Sequence, residues 1–291
     1  MRIRLIKLLK RIDKGYLLFP NGINNVLKIG EFNLRINELD SGGTAYRSQA
    51  SYREISNRLY ELVENSYHPK VILDIGANYG FSSVVISFKM PHAKVIAVEP
   101  SKKLIPHITE NFKLNGIKNF DIINAVCGEQ VKEEISFSMN PNTSQDNRVI
   151  GENNQWTNQT VPSVNIDSLL ENIKSDEAVF IKIDTQGYEE KVFKGAEEFL
   201  NRHHNWIIKT EFAPYWLKSQ GADPFGFLTD LTQQYELAEL SESPAYFSTT
   251  IDDLFNNPVR RESIRGFIDY VENLNKDKTG WIDLLVRPKK R

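Results

Sequence analysis

The sequence predicts an α/β protein, an open and mostly parallel sheet with helices on both faces. Short apolar runs of strand length recur at Val71–Ile75, Lys94–Val98, Val179–Ile183 and Trp206–Glu211. Helix-like stretches separate them, and βαβ alternation this regular belongs to a parallel sheet. The first run also opens into a loop with two glycines four apart, Asp74-Ile-Gly-Ala-Asn-Tyr-Gly80, followed by a helical stretch from Phe81. Strand, tight loop and helix in that order form the opening unit of a nucleotide-binding sheet.

Composition sets the outer bounds. The chain has 291 residues, with 40% hydrophobic and 25% charged content, which suits a soluble globular protein. Lys and Arg number 36 against 38 Asp and Glu, a net charge of −2, so no overall charge draws it to nucleic acid. The single Cys127 excludes an intramolecular disulfide framework and a multi-cysteine zinc site. No apolar run is long enough to span a membrane. The basic N-terminus has its apolar residues broken by charges, which argues against a secretory signal. These features predict a reduced, cytoplasmic setting.

Residues 1–69 read as an extension and 70–291 as the main domain. Within 2–14, six basic residues accompany an apolar face of Ile3, Leu5, Ile6, Leu8, Leu9 and Ile12. Such a helix either lies on an anionic membrane surface or packs on the domain with its charges in water; packing is the more ordinary arrangement. Residues 24–37 suggest a β-hairpin turning at Gly30-Glu31, with Phe32, Leu34 and Ile36 on one face. Asp40-Ser-Gly-Gly43 reads as a flexible loop, and Tyr52–Asn65 as a helix walling the site.

Past the glycine loop, Lys94–Val98 ends at Glu99-Pro100. A helix follows over Lys102–Leu114, stopped at Asn115-Gly116. Phe120–Val126 is a third strand, whose end at Ala125 and Val126 should approach an adenine. Glu133–Met139 alternates and reads as an extra strand. Residues 140–160 are polar and predict a long loop, a feature usually functional or disordered. Val161–Asp167 leads into a helix starting near Ser168. The fourth strand turns at Thr185 into a helix reaching about Leu200. A helix over Asp223–Gln234 precedes a sixth strand, Tyr235–Leu240. Residues 242–279 look like a helical insertion, and Trp281–Val286 closes as a seventh strand. The segments 37–51, 140–160 and 242–279 are the expected pocket-forming parts.

The loop supplies the candidate cofactor contacts: Asp74, Gly76, Ala77, Asn78 and Gly80, with Glu99 and Pro100 across from them. Glu99 lies where a carboxylate accepts hydrogen bonds from both hydroxyls of a ribose. A dinucleotide fold wants Gly-x-Gly-x-x-Gly, and the middle glycine is missing here. An acid at Asp74 suits the cationic amino-acid end of S-adenosylmethionine (SAM) better than a pyrophosphate. The chain also lacks a Tyr-x-x-x-Lys pair, which weakens an NAD-dependent oxidoreductase reading without removing it. Tyr79 and Phe81 are further candidates for cofactor contact, with core packing the alternative for Phe81.

Asp74–Gly80, Glu99-Pro100, Asn115-Gly116, Val164–Leu169 and Ile181-Lys-Ile-Asp-Thr-Gln-Gly-Tyr-Glu189 occur in order, and together they resemble the FkbM family of SAM-dependent methyltransferases. The resemblance covers about residues 70–240. It implies a Rossmann-like seven-stranded methyltransferase sheet with the last strand antiparallel. It also implies O-methylation of a polyketide or sugar hydroxyl, often beside glycan assembly. The family commonly has Asp-x-Glu-Gly where this chain has Asp184-Thr-Gln186-Gly. Glutamine can neither take a proton nor carry charge.

In an open parallel sheet the site lies at the carboxyl ends of the strands. That rule sets aside His68, His92, His203 and His204, which precede strands, and His107 sits within a helix. It favours acids. Asp184 and Glu211 are the candidate catalytic pair, either a base and its partner or two oxygen ligands of a Mg²⁺-like ion. The alternative is that Lys182 and neighbouring backbone simply pair their charges. Glu189 reads as a helix cap before a site residue, and Cys127 as a small buried apolar residue. The expected partner is a small-molecule or glycan acceptor. A non-catalytic SAM-binding module stays open, because an intact cofactor loop does not guarantee an acceptor site.

Overall fold

A computed structural model describes residues 23–48, 58–151, 156–240 and 247–290. The 2–14 segment and the first part of the 52–65 helix lie outside those residues. The hairpin forms as its alternation predicts: β1 (Asn24–Ile29) pairs antiparallel with β2 (Phe32–Asn37), Ile29 opposite Phe32. Leu27, Ile29, Phe32, Leu34 and Ile36 are buried in one layer.

The central sheet has seven strands. They are β3 (Val71–Ile75), β4 (Lys94–Val98), β5 (Phe120–Ile123), β9 (Val179–Ile183), β10 (Trp206–Phe212), β11 (Tyr235–Leu240) and β12 (Ile282–Pro288). Their order is β11-β12-β10-β9-β3-β4-β5. All pairings are parallel except those of β12, which runs antiparallel to β10 and β11. This is the Rossmann-like arrangement that the resemblance implies.

Alternate side chains of each strand enter opposite layers. Val71, Leu73 and Ile75 face the helices α6 (Glu189–Lys194), α7 (Glu197–Arg202), α8 (Pro214–Ser219), α9 (Pro224–Gln234) and α10 (Ile264–Asn273). Ile72, Phe180, Ile207 and Leu285 face the hairpin layer, with α2 (Leu59–Tyr67), α3 (Phe81–Lys89) and α4 (Ile105–Leu114). Farther along the strands that second face changes character and carries Asp74, Lys182, Lys209, Glu211 and Asp283.

The hairpin is fastened by two asparagines, Asn111 of α4 and Asn115 at its end. Asn111 accepts from Arg35 N at 2.5 Å and donates to Arg35 O at 3.1 Å. Asn115 accepts from Asn33 N at 3.0 Å and donates to Asn33 O at 2.7 Å. The open edge of β2 thereby gains side-chain partners for its backbone.

Several segments differ from expectation. Asp40-Ser-Gly-Gly43 is not a free loop: it starts a short helix, α1 (Ser41–Ala45), because the Asp40 side chain accepts from Gly42 N. The third strand ends at Ile123, and Val126–Cys127 (β6) joins a small sheet with β7 (Lys132–Met139) and β8 (Thr157–Val164). The end of the polar 140–160 stretch is therefore strand. Its partner β7 fixes it, and its own sparse apolar pattern, Val161 and the small Ser163, gave little signal. The helix near Ser168 is one turn, α5 (Ile166–Leu169). The helix after β9 is two helices, because Asp167 accepts from Glu198 N and Phe199 N and starts α7 separately. Helix α8 was not expected. The described part of the 242–279 insertion holds two 3₁₀ turns and α10.

Candidate active site

A cavity of about 830 Å³ opens at the carboxyl ends of β3, β4, β9 and β10. Of the predicted cofactor contacts, Gly76, Ala77, Asn78, Glu99, Pro100, Ala125 and Val126 line it, as do both predicted catalytic acids, Asp184 and Glu211. All three expected pocket-forming segments contribute: Tyr46 and Ser48, Ser144 to Asn147, and Asn275 and Thr279. Among the described residues, no histidine lines it.

Asp74 and Gly80 do not line the cavity. Asp74 is fully buried, with Oδ1 accepting from Lys182 Nζ at 3.1 Å and Oδ2 from Ser83 Oγ at 2.5 Å. Its carboxylate is committed to Lys182 of strand β9 and Ser83 of helix α3, so it does not itself face the cavity. Gly80 starts α3 at φ +76°, and a Cβ there would meet Phe112 at 2.9 Å. It serves helix packing. Gly76 is needed because a Cβ would lie 1.8 Å from the Asp184 carbonyl oxygen, and its φ is +78°.

The loop after β3 spends its N–H groups internally. Those of Gly76 and Ala77 go to the Val98 carbonyl, Gly80 N donates to Ala77 O, and Tyr79 N to the Asn78 side chain. Asn78 N donates to Glu99 Oε2 at 2.9 Å, while Ser101 N donates to Glu99 Oε1 at 2.8 Å. Glu99 is 4% exposed and faces the cavity. Burial pushes its pKa up to about 7, although the two backbone donors work against that shift. A carboxylate has about four acceptor positions, and two are filled here. It is built to take further donors from a ligand.

Across the cavity, pairing sets Lys182 beside Asp74 and Lys209, and Glu211 beside Asp283. Lys182 Nζ lies 3.6 Å from Asp184 Oδ2, and Lys209 Nζ 2.8 Å from Asp283 Oδ2. Gln186, at φ +56°, donates from Nε2 to Asp184 Oδ1 at 3.2 Å and to Glu211 Oε2 at 3.4 Å. Burial, then the nearby charges of Asp184, Glu189 and Asp283, hold the Glu211 carboxyl well above the usual range. Lys182 therefore pairs Asp184, as the simpler reading had it, while Glu211 is met by an amide.

Glu189 lies beneath the turn, its Oε1 accepting from Thr185 N and Oγ1 at 2.8 and 2.9 Å. It braces the turn before α6 instead of capping the helix itself, and does not line the cavity. Tyr79 turns away to donate to Asp40 at 2.8 Å, while Phe81 and buried Cys127 line the wall. Burial pushes the Cys127 thiol up, so it is no nucleophile.

Sequence reading missed Lys209, Asp283, Trp216 and Trp281, all of which line the cavity. Lys209 left a signal: with Thr210 and Glu211 it forms a polar run at the carboxyl end of a strand that is apolar before it. Trp216 also has Arg148 over its ring at 3.9 Å, which fixes the 140–150 wall.

Fold and site together define a Rossmann-like α/β protein with a cavity between the buried Glu99 carboxylate and a charged strand-end cluster. The Methyltransferase FkbM domain matches residues 74–237, more than half of the chain, and the chain belongs to this family of methyltransferases. Comparison with curated proteins gives no match. Among solved structures it is similar to the plantazolicin methyltransferase BpumL in complex with a monoazolic desmethylPZN analog and SAH. Identity is 13%, over 99% of this chain and 98% of that one, with a TM-score of 0.44. It is also similar to M. jannaschii TYW2 in complex with AdoMet, at 12% identity over 91% and 84%, TM-score 0.43. A third is the precorrin-6y C5,15-methyltransferase of Geobacter metallireducens GS-15, at 17% over 65% and 74%, TM-score 0.38. These likenesses are too distant to carry a residue role or a substrate across.

Proposed function

We propose that the cavity holds SAM and that the chain transfers its methyl group to a hydroxyl of a glycan or secondary-metabolite acceptor. The observation that carries this reading is Glu99, a buried carboxylate facing the cavity with acceptor positions to spare. Ribose hydroxyls are donors of the right kind. The loop beside it supports a cofactor without a pyrophosphate, because its N–H groups are already used, and a phosphate cradle needs them free. Ala77, Asn78 and Pro100 are the other residues for the nucleoside, with Ala125 and Val126 beside the base.

When bound, SAM supplies an activated methyl group on a sulfonium. The chain must then place an acceptor oxygen, exclude water and take a proton. Glu211 suits the proton transfer, because burial and its acidic neighbours bring its proton affinity toward that of a working base. Asp184 and Gln186 orient it. Trp216 and Trp281 offer flat apolar faces for a sugar or similar ring, and Asp283 and Lys209 offer hydrogen bonds to its hydroxyls. The Gln186 amide donor stands between Asp184 and Glu211, where a shared cation would sit. The pair does not fit a metal in this arrangement, and no step is assigned to one.

The test is transfer of label from methyl-tritiated SAM to a panel of glycans and hydroxylated metabolites. The proposal expects a base-stable methyl ether, lost in Glu211→Gln. Label found only on nitrogen or on base-labile carboxyl esters would refute the hydroxyl acceptor.

A further inference from the structure

On the side of the cavity away from Glu99, the charged cluster gives way to an apolar rim. Asp283 of β12 and Trp281 just before that strand both line the cavity. Residues two apart on an extended chain face the same way. Asp283 is paired with Glu211 in the cluster, and Trp281 lies about 7 Å farther out along the chain. Trp281 is 55% exposed. The same order holds where β10 leaves the sheet: Glu211 lies within, and Tyr215 and Trp216 follow at the start of α8.

Fixed backbone carries this rim. Gly280 passes so close to the end of α10 that a Cβ would lie 1.9 Å from the Val271 carbonyl oxygen and 3.1 Å from Leu274 Cβ. Leu274, half-exposed, therefore stands beside the approach to Trp281. Lys218 of α8 meets Glu272 of α10 at 2.7 Å, which sets the start of α8 alongside the end of α10. Tyr215, a turn before Lys218, is 43% exposed, with its ring edge-on to Trp216 at 4.7 Å. At the other end of α8, Gln220 holds Ile150 by two bonds, accepting from Ile150 N at 2.8 Å and donating to its carbonyl at 2.9 Å. The Ile150 side chain is 53% exposed.

We propose that the acceptor is amphiphilic: its hydroxylated head enters the cavity, and an aliphatic or aromatic portion lies across Trp281, Leu274, Tyr215 and Ile150. This deepens the methyl-transfer reading of the same cavity and rests on it. Single exposed apolar residues are ordinary on a protein surface. These four are tied to one another through α8 and α10 and border a cavity already lined by Trp216 and Trp281, and contiguous apolar surface of that kind marks a binding groove. Sugar stacking would use the flat rings of Trp281 and Tyr215 alone. Leu274 and Ile150 offer neither a flat ring nor a hydrogen bond, and only an apolar partner gains by covering them. The gradient from charged cluster to apolar rim matches a ligand with a polar head and an apolar tail.

The experiment compares n-octyl β-glucoside, kept below its micelle concentration, with methyl β-glucoside by ligand-observed NMR. It uses the full chain with the demethylated product of SAM present. The octyl compound should bind saturably and at least tenfold tighter, a factor that burial of about two further methylenes provides. The Trp281→Ala/Leu274→Asn double variant should lose most of that preference, with its melting temperature as the folding control. Equal affinity for the two glucosides, no saturable octyl glucoside binding, or a preference kept in full by the double variant overturns the proposal. Label transfer from SAM separates this from the function itself. Methylation of free sugars as fast as of their octyl glycosides upholds the transfer and overturns the amphiphilic acceptor. Tight octyl glucoside binding with no transfer to any hydroxyl supports the apolar rim and refutes the transfer.

Discussion

The backbone N–H of Asn78 donates to Glu99 Oε2 across 2.9 Å, so the loop after β3 holds the carboxylate at the end of β4. This contact ties the first strand–loop–helix unit to the second strand. Burial holds Glu99 near a pKa of about 7, so at neutral pH the free protein carries it partly protonated. Ribose hydroxyls favour the ionised form. Affinity for SAM or its demethylated product should therefore rise as pH increases through 7, with release of up to one proton. Calorimetry in buffers of different ionisation enthalpy measures that release, and Glu99→Gln should abolish the pH dependence.

The same shift bears on stability. Glu99, Glu189 and Glu211 all have carboxyl groups raised by burial. A carboxyl raised in the folded state favours folding below its unfolded value near 4.5, and that contribution is lost as pH rises through the folded value. For Glu99, whose folded value lies at about 7, the ligand-free protein should lose that stability between about pH 5 and 7, with Glu189 and Glu211 acting in the same direction. The slope should be at most about 1.4 kcal/mol per pH unit for each group. Urea denaturation across that range checks it.

Asp74 and Lys182 form a buried pair at 3.1 Å, with Asp74 fully enclosed. Removing one partner leaves an uncompensated charge. Lys182→Met should cost about 3–5 kcal/mol. Adding Asp74→Asn should recover much of that loss, a coupling that a double-mutant cycle in urea would reveal.

Gln186 sits where its amide donates to both Asp184 and Glu211. Gln186→Glu replaces that donor with a third carboxylate. Turnover should fall at least tenfold in EDTA, and added Mg²⁺ should raise both turnover and melting temperature, because three oxygen ligands now face one point. An unchanged rate in EDTA would show that the amide bridge does not matter for catalysis.

Much of the fold was legible because the strand signal is strongest where strands are buried on both faces. Val71–Ile75 and Val179–Ile183 are buried at every position and read as apolar runs. β8 escaped because it is a half-exposed strand in a small sheet, and its pairing with β7 is non-local. That Glu99, Asp184 and Glu211 line the cavity was legible because strand ends point to one edge. The burial of Asp74 was not legible: position along a strand cannot tell which neighbour, here Lys182 and Ser83, claims the side chain. Trp216 and Trp281 reach the cavity from outside the parallel strands, where no periodicity marks them.

The most direct test of the central claim is calorimetric binding of SAM and its demethylated product to the intact chain, with Glu99→Ala alongside. The account predicts micromolar binding that weakens at least tenfold in the variant, since charge-assisted hydrogen bonds contribute about 1.5–3 kcal/mol each. No binding by the unaltered chain, or equal binding by the variant, would contradict it.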